Sequence, residues 1–466
     1  MRIPMRIVLS CIFAVASPLL AAGPFQATGF KVGEVDQNSA VVWTRLTRLE
    51  RGAQDQVDAA PGALGEVRVT WHPATRSEEW CTPWLPVDPD KDFTRQVELA
   101  DLTPGTRYAV TVEGRRPEGG EPTTTLTGGF TTAPAADAPA TIRMAVVTCQ
   151  AIRSVESPTK GHFTYKVLDQ IRPDLFVHTG DIVYYDKEPL CHDAAAARCK
   201  WNRMYAYEWQ RAFHLNTTSY FMKDDHDTVK NDCWQGHRYG DLTWEEGLAI
   251  FREQVPMREK TYRTVRWGRD LQIWMTENRD FRSPNTDPDG PQKTILGRDQ
   301  KEWLVRTMTE SDATFKVFIS PGCVVGPDKE GKNDNHANPA FAHEGAWLRG
   351  FLADLGNAIV INGDRHWQYH SVDPETGLHE FGCGPIGNLH DYGGHCGFQP
   401  KYHKYFDPGG GFLLVTVTRD VTEPLLRLAH YGADVAPDPI DARRLVRYST
   451  ELRPSAFSAR SDVGRK

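Results

Sequence analysis

The sequence predicts a β-sandwich followed by an α/β core. Three observations carry that expectation. Residues 27 to about 132 hold short clusters of β-formers between turn residues, with no helical periodicity. After a Pro/Ala-rich stretch the pattern changes to apolar runs alternating with amphipathic helical faces. Four of those runs end directly in Cys, Asp or His, where open α/β sheets bind ligands.

Taken in chain order, residues 1–22 read as a secretory signal: Arg2 and Arg6, an apolar run Ile7–Leu20, then small residues. The run is short for a transmembrane span, and no later one is longer. The expected product is therefore exported, periplasmic or extracellular, with no transmembrane anchor. The sandwich is expected over 23–132, from strands around Val41–Trp43, Val67–Trp71, Arg107–Val112 and Gly128–Thr132. Its sharpest signal, Leu99–Tyr108, resembles the tyrosine corner of fibronectin type III domains. Residues 133–140 read as a linker, 141–450 as the catalytic domain and 451–466 as a polar tail.

In the core, Phe163, Val167, Leu168 and Ile171 mark one helical face, and Trp347, Leu348, Phe351, Leu352 and Leu355 another, stopped at Gly356. Residues 411–418 and 424–429 read as a closing strand pair. The segments 185–218, 282–297 and 322–345 carry little strand or helix signal, and loops of that length point to a site rim that sets substrate choice.

Composition is ordinary for a globular protein, 40% hydrophobic and 25% charged, with a net charge of −7 that becomes more negative without Arg2 and Arg6. That balance opposes a stable nucleic-acid partner. Nine cysteines include Cys11 in the leader. Cys191/Cys199 and Cys383/Cys396 are close enough in sequence for local disulfides in an oxidising compartment, though spacing alone does not fix the pairing. No CxxC pair occurs, which opposes a structural zinc site.

The four strand ends carry the chemistry. They read Thr148-Cys149-Gln150, Gly180-Asp181-Ile182-Val183-Tyr184, Asp224-Asp225-His226 and Gly363-Asp364-Arg365-His366. If they share a parallel arrangement, a thiol, a phenol, several carboxylates and imidazoles converge on one edge, a donor set for metal ions. Taken singly, Cys149 reads as a buried apolar thiol and Tyr184 as a core aromatic. Asp181 and Asp364, each after glycine, divide between capping a turn and binding a metal.

In this order and spacing the four motifs resemble those of the alkaline phosphatase D (PhoD-like) metallophosphatases of the calcineurin-like phosphoesterase superfamily. Arg279-Asp280-Phe281-Arg282 and Gln300–Leu304 are weaker echoes, and the likeness covers roughly the whole mature chain. It implies a metallophosphatase core of two packed sheets flanked by helices. It also implies Fe3+ held by Cys149, Asp181, Tyr184 and Asp364, and Ca2+ by Asp225, Asn231 and His366, with Asp181 bridging. The ligand types alone would also admit Zn2+ or Mn2+. The implied reaction is hydrolysis of phosphate mono- or diesters by in-line attack of a metal-bridging hydroxide.

His226 reads as the general acid for the leaving oxygen, or as an orienter of Asp225. Arg279 and Arg365 read as clamps on phosphoryl oxygens, although Arg365, like Arg282, fits packing equally well. Asp227 supports the ligands from behind. His336 and His343, in an Asn/His-rich stretch, are read either as further substrate or metal contacts or as a self-bonded loop. Two other functions fit the same motifs: hydrolysis of another ester (phospholipid, teichoic-type polymer or other oxyanion ester), or an inactive surface-binding protein that kept the fold. None of the motif positions is broken.

Overall fold

The computed structural model describes residues 23–51, 59–76, 78–390, 394–419, 423–436 and 439–455. The expected leader, 1–22, and the end of the expected tail, 456–466, lie outside them.

The core strands are short, β-branched and apolar on both sides, so they are buried on both faces. Along Ile142–Val147, the side chains of Ile142, Met144 and Val146 face a second sheet, while Ala145 and Val147 meet helix Phe163–Ile171. Strand Leu271–Met275 repeats the plan. Ile273 and Met275 face the first sheet, and Trp274 packs under helices Arg298–Glu310 and Ala342–Asp354. The result is a sandwich of two mixed sheets with helices outside.

Among the described residues one sheet has nine strands and the other seven. At the centre of the first, Ile142–Val147, Leu175–His178 and Thr218–Phe221 run parallel. At the centre of the second, Leu271–Met275, Phe315–Ser320, Ala358–Asn362 and His379–Cys383 run parallel. Parallel alignment brings the carboxyl ends of the central strands to one edge, and the four sequence motifs sit there.

The N-terminal β-formers do make two facing layers around Val32, Val42, Val69, Val97, Val110 and Phe130. The Thr103 N–H donates to the Tyr108 hydroxyl at 2.9 Å, closing the expected tyrosine corner. These layers continue into the core: Phe30–Gly33 pairs in parallel with Thr218–Phe221, so Phe30–Gly33, Ala40–Arg45 and Thr94–Leu99 complete the nine-stranded sheet. A Cβ at Gly33 would lie 2.4 Å from the Ser219 carbonyl oxygen, so only glycine permits that approach. Residues 133–140 are also tied down. Ala133 is buried in the inter-sheet core, and Arg269 donates to the Ala138 and Asp137 carbonyls.

Three local expectations change. Segment 185–218 contains helices Ala194–Ala206 and Glu208–His214. The first has no amphipathic stripe, but Asp193 caps it and Trp201, Met204 and Tyr205 anchor it. The last strand, Val446–Leu452, adds to Pro424–Gly432 and takes in the start of the expected tail. Cys191/Cys199 and Cys383/Cys396 are not bridged; all eight cysteines among the described residues are free thiols. Cys191 is buried while Cys199 is exposed, and the Cys383 thiol turns inward onto the Asn362 carbonyl at 3.3 Å. No helix among the described residues is long and apolar enough to cross a membrane.

Candidate metal centre

Cys149, Asp181, Asp225, Asp364 and His366 sit two to four residues past a central strand, and Tyr184 and Asn231 follow six and ten residues past theirs. Cys149, Asp181 and Asp364 all hold left-handed φ values, 50°, 56° and 60°. For non-glycine residues such backbone clusters at functional sites. Gly180, at φ 120°, places the Asp181 turn against the next one: a Cβ there would lie 2.7 Å from Asp224 Cβ. The two sheets are pinned at the same point, where the Asp364 N–H donates to Thr148 Oγ1 at 3.2 Å.

Asp181 is the hub. Its Oδ2 lies 3.5 Å from Cys149 Sγ and 3.2 Å from the Tyr184 hydroxyl. It belongs to three compact ligand groups, with Cys149 and His366, with Asp225 and His226, and with Asp224 and Asp364; in each, the donor atoms lie within 4.8 Å of one another. His366 therefore falls on the Cys149 side rather than beside Asp225, and Asp364, expected with Cys149 and Tyr184, groups with Asp224 instead.

The electrostatics show what these residues need. Asp181 is held well above the usual carboxylate range by burial, then by the charges of Asp225, Asp224 and Asp227. Burial and Asp181 likewise push up the Cys149 thiol and the Tyr184 phenol. Asp181 Oδ1 and Asp224 Oδ2 are buried with no hydrogen-bond partner in the protein. Crowded anionic donors with orphaned lone pairs are costly unless cations neutralise them. The residues present fit bound metal ions.

Around the hub, Asp225 accepts from the N–H of His226 at 2.9 Å and of Asp232 at 2.5 Å. Burial opposes its ionisation, but the Arg279 and His226 charges outweigh it and keep Asp225 low. Asp227 ties two turns together by accepting from Ile182 N–H and Asp224 N–H, and burial raises its carboxyl to about 8. His226 Nδ1 lies 2.5 Å from Asp186 Oδ1. Burial alone would lower this imidazole; Asp225 and Asp186 together raise it above its ordinary value.

A cavity of about 230 Å3 opens over the centre, and His226, Asn231, Asp364, Arg365 and His366 line it. Two expected substrate contacts lie elsewhere. Arg279 is fully buried with Nε 2.5 Å from Asp224 Oδ1, so it braces the carboxylate-bearing turn rather than lining the cavity. His336 is buried with Nε2 3.1 Å from Glu344 Oε2, and Glu344 also accepts from Ile295 N–H at 2.6 Å. It holds a loop to a helix; the reading of that stretch as a self-bonded loop fits its position. Arg365 does reach the cavity, paired with Asp328 and Asp364.

Sequence reasoning missed His390. Its Nε2 lies 3.0 Å from the Tyr184 hydroxyl and 3.3 Å from His366 Nε2, and its Nδ1 is 3.4 Å from Ser154 Oγ. The only signal was the Gly-rich loop 382–396 around it. Asp224, inside the Asp-Asp-His motif, and Asp186, just after Tyr184, carry no sequence signal for the roles their contacts show.

Comparison with curated proteins gives no match. Two solved structures share the fold. A structure of PhoD superposes with a TM-score of 0.73 at 18% identity, covering 94% of this chain and 92% of that one. The purple acid phosphatase PPD1 from yellow lupin (Lupinus luteus) seeds gives 0.62 at 14% identity, covering 91% and 74%. The family model for PhoD-like phosphatases matches residues 144–405, more than half of the chain. The protein therefore belongs to the PhoD-like phosphatase family and is a metal-dependent phosphoester hydrolase.

Proposed function

We propose that the protein is an exported phosphatase or phosphodiesterase using two cations that share Asp181. Cys149, Tyr184 and His366 would hold one beside Asp181; Asp224, Asp225, Asp364 and Asn231 would hold the other. Thiolate and phenolate donors suit Fe3+, and the oxygen-rich side suits Ca2+. When bound, the cations supply positive charge to the phosphoryl oxygens and acidify a water toward neutral pH.

The remaining work falls to the protein's own groups. Arg365, fixed by Asp328, presents positive charge at the cavity wall where phosphoryl oxygens enter. His226, bonded through Nδ1 to Asp186 and favoured in its protonated form, offers its other ring N–H to the departing alkoxide oxygen. Lys200 donates to the Tyr184 carbonyl and, at 2.7 Å, to the Lys187 carbonyl, fixing the backbone that carries Tyr184.

The observation that carries this reading is Asp181, shared by three ligand groups with one buried oxygen unsatisfied. The test is cleavage of p-nitrophenyl phosphate and bis-p-nitrophenyl phosphate by purified protein, whose relative rates also decide between monoester and diester preference. Activity should vanish on chelation and in Asp181→Asn. Hydrolysis that survives either would refute the reading. N-terminal sequencing of the expressed product tests export: processing near residue 22 is expected, and retention of Met1 would contradict it.

A further inference from the structure

His390 stands beside the metal centre and has no role in the reading above. It is buried and lies behind the cavity wall rather than in it, so it is not placed to touch substrate. Its loop is pinned to the turn that carries Cys149. Ile386 N–H donates to the Thr148 carbonyl at 3.1 Å, and Thr164 Oγ1 donates to the Ile386 carbonyl at 2.6 Å. His390 N–H closes back on the Gly387 carbonyl at 3.2 Å. A Cβ at Gly387 would lie 2.2 Å from Glu156 Oε1, so the loop packs too closely there for a side chain.

The two ring nitrogens can be told apart. Ser154 Oγ donates to the Ala151 carbonyl at 3.0 Å and therefore offers a lone pair to His390 Nδ1, 3.4 Å away. Nδ1 then carries the hydrogen and Nε2 keeps its lone pair. That lone pair points where two other donors converge. Nε2 is 3.0 Å from the Tyr184 hydroxyl oxygen and 3.3 Å from His366 Nε2, and those two atoms are 3.4 Å apart.

On the two-cation reading above, which this step rests on, Tyr184 and His366 turn lone pairs rather than protons toward their metal. Lone pairs of Tyr184, His366 and His390 then meet at close range, which a shared cation satisfies and a hydrogen bond does not. The spacing agrees, because donors bound at about 2.1 Å and at right angles stand about 3 Å apart. His390 falls outside the compact group of Cys149, Asp181 and His366, so it approaches from the side of Tyr184 and His366.

We propose that His390 is a fifth protein ligand, through Nε2, to the cation held by Cys149, Asp181, Tyr184 and His366. A donor set of that size exceeds the four positions that zinc commonly offers. His390 thus favours a metal of higher coordination number at this position, iron among them.

The test uses protein loaded with iron in the presence of calcium. Iron-edge X-ray absorption counts the imidazole rings at the sulfur-bearing site; two are expected in wild type and one in His390→Ala. Iron retention against graded chelator should fall by about 100-fold in His390→Ala and by roughly tenfold in Ser154→Ala, which disturbs only the orienting contact. His390→Gln keeps an acceptor for the Tyr184 hydroxyl without the ring, and it should behave as His390→Ala. Zinc should displace iron more readily from His390→Ala than from wild type. A single ring in wild type, wild-type retention in His390→Gln, or equal displacement by zinc would overturn this inference alone. The wild-type ring count decides even where a variant fails to fold. Wild type that takes up no metal would overturn the two-cation reading and this inference with it.

Discussion

Replacing Asp181 by Asn should have opposite effects on the metal-free and metal-loaded protein. In the metal-free protein, Asp181 is buried within 4.8 Å of the ligand atoms of Asp225 and Asp224. Two ionised carboxylates at that separation repel by roughly 3 kcal/mol at an effective dielectric of about 20. Burial first, and this repulsion second, push the Asp181 carboxyl up, so the metal-free folded protein favours its protonated form. A carboxyl raised on folding contributes stability that is complete below its unfolded value of 3.8 and is lost as pH rises toward the folded value. Metal-free wild type should therefore weaken as pH rises from about 4 toward 8, and Asp181→Asn should weaken less. At pH 8 the variant should be the more stable by about 1–3 kcal/mol, a few degrees in Tm. Adding metal should reverse the order, because the Asp181 carboxylate would supply an anionic ligand that asparagine lacks. The assay is thermal unfolding against pH, with chelator and with metal. A metal-free variant less stable than wild type at pH 8 would refute the reasoning.

Three further outcomes follow from named contacts. His226→Gln should slow alkyl phosphates by about 100-fold, and p-nitrophenyl phosphate much less, because only the poorer leaving group needs the proton; equal losses on both would remove His226 from that role. Glu344→Gln should lower stability by about 2–4 kcal/mol by weakening its buried contacts with His336, Thr294 and Ile295. KM of the folded fraction should hardly move, whereas a large KM change would restore His336 to the substrate site. Burial holds the His430 imidazole down at about 4. Its stabilising share is present above pH 6.5 and lost as pH falls toward 4, by about 1.4 kcal/mol per pH unit. His430→Gln should flatten acid unfolding in that window, and an unchanged slope would exclude it as a contributor.

The motifs at the strand ends were legible because their chemistry is local. A short apolar run followed by Gly-Asp or Thr-Cys says both where a strand stops and what it presents, and Cys149, Asp181, Tyr184, Asp225, Asp364 and His366 do meet. What the sequence hid was pairing at long range. Nothing in Phe30–Gly33 says that it lies beside Thr218, so the sandwich read as separate when it completes the core sheet. Arg279 and His336 misled for a related reason. A charged or imidazole side chain near a motif looks site-directed until its buried carboxylate partner is known: Asp224 lies 55 residues from Arg279, and Glu344, only eight residues from His336, turns toward it from the helix that follows. His390 carried no motif of its own and became visible only through its contact with Tyr184.

The most direct test is anomalous diffraction from crystals of the metal-loaded protein. Two peaks flanking the Asp181 carboxylate are expected, one beside Cys149 and Tyr184 and one beside Asp225. A single peak, or peaks away from Asp181, would contradict the account.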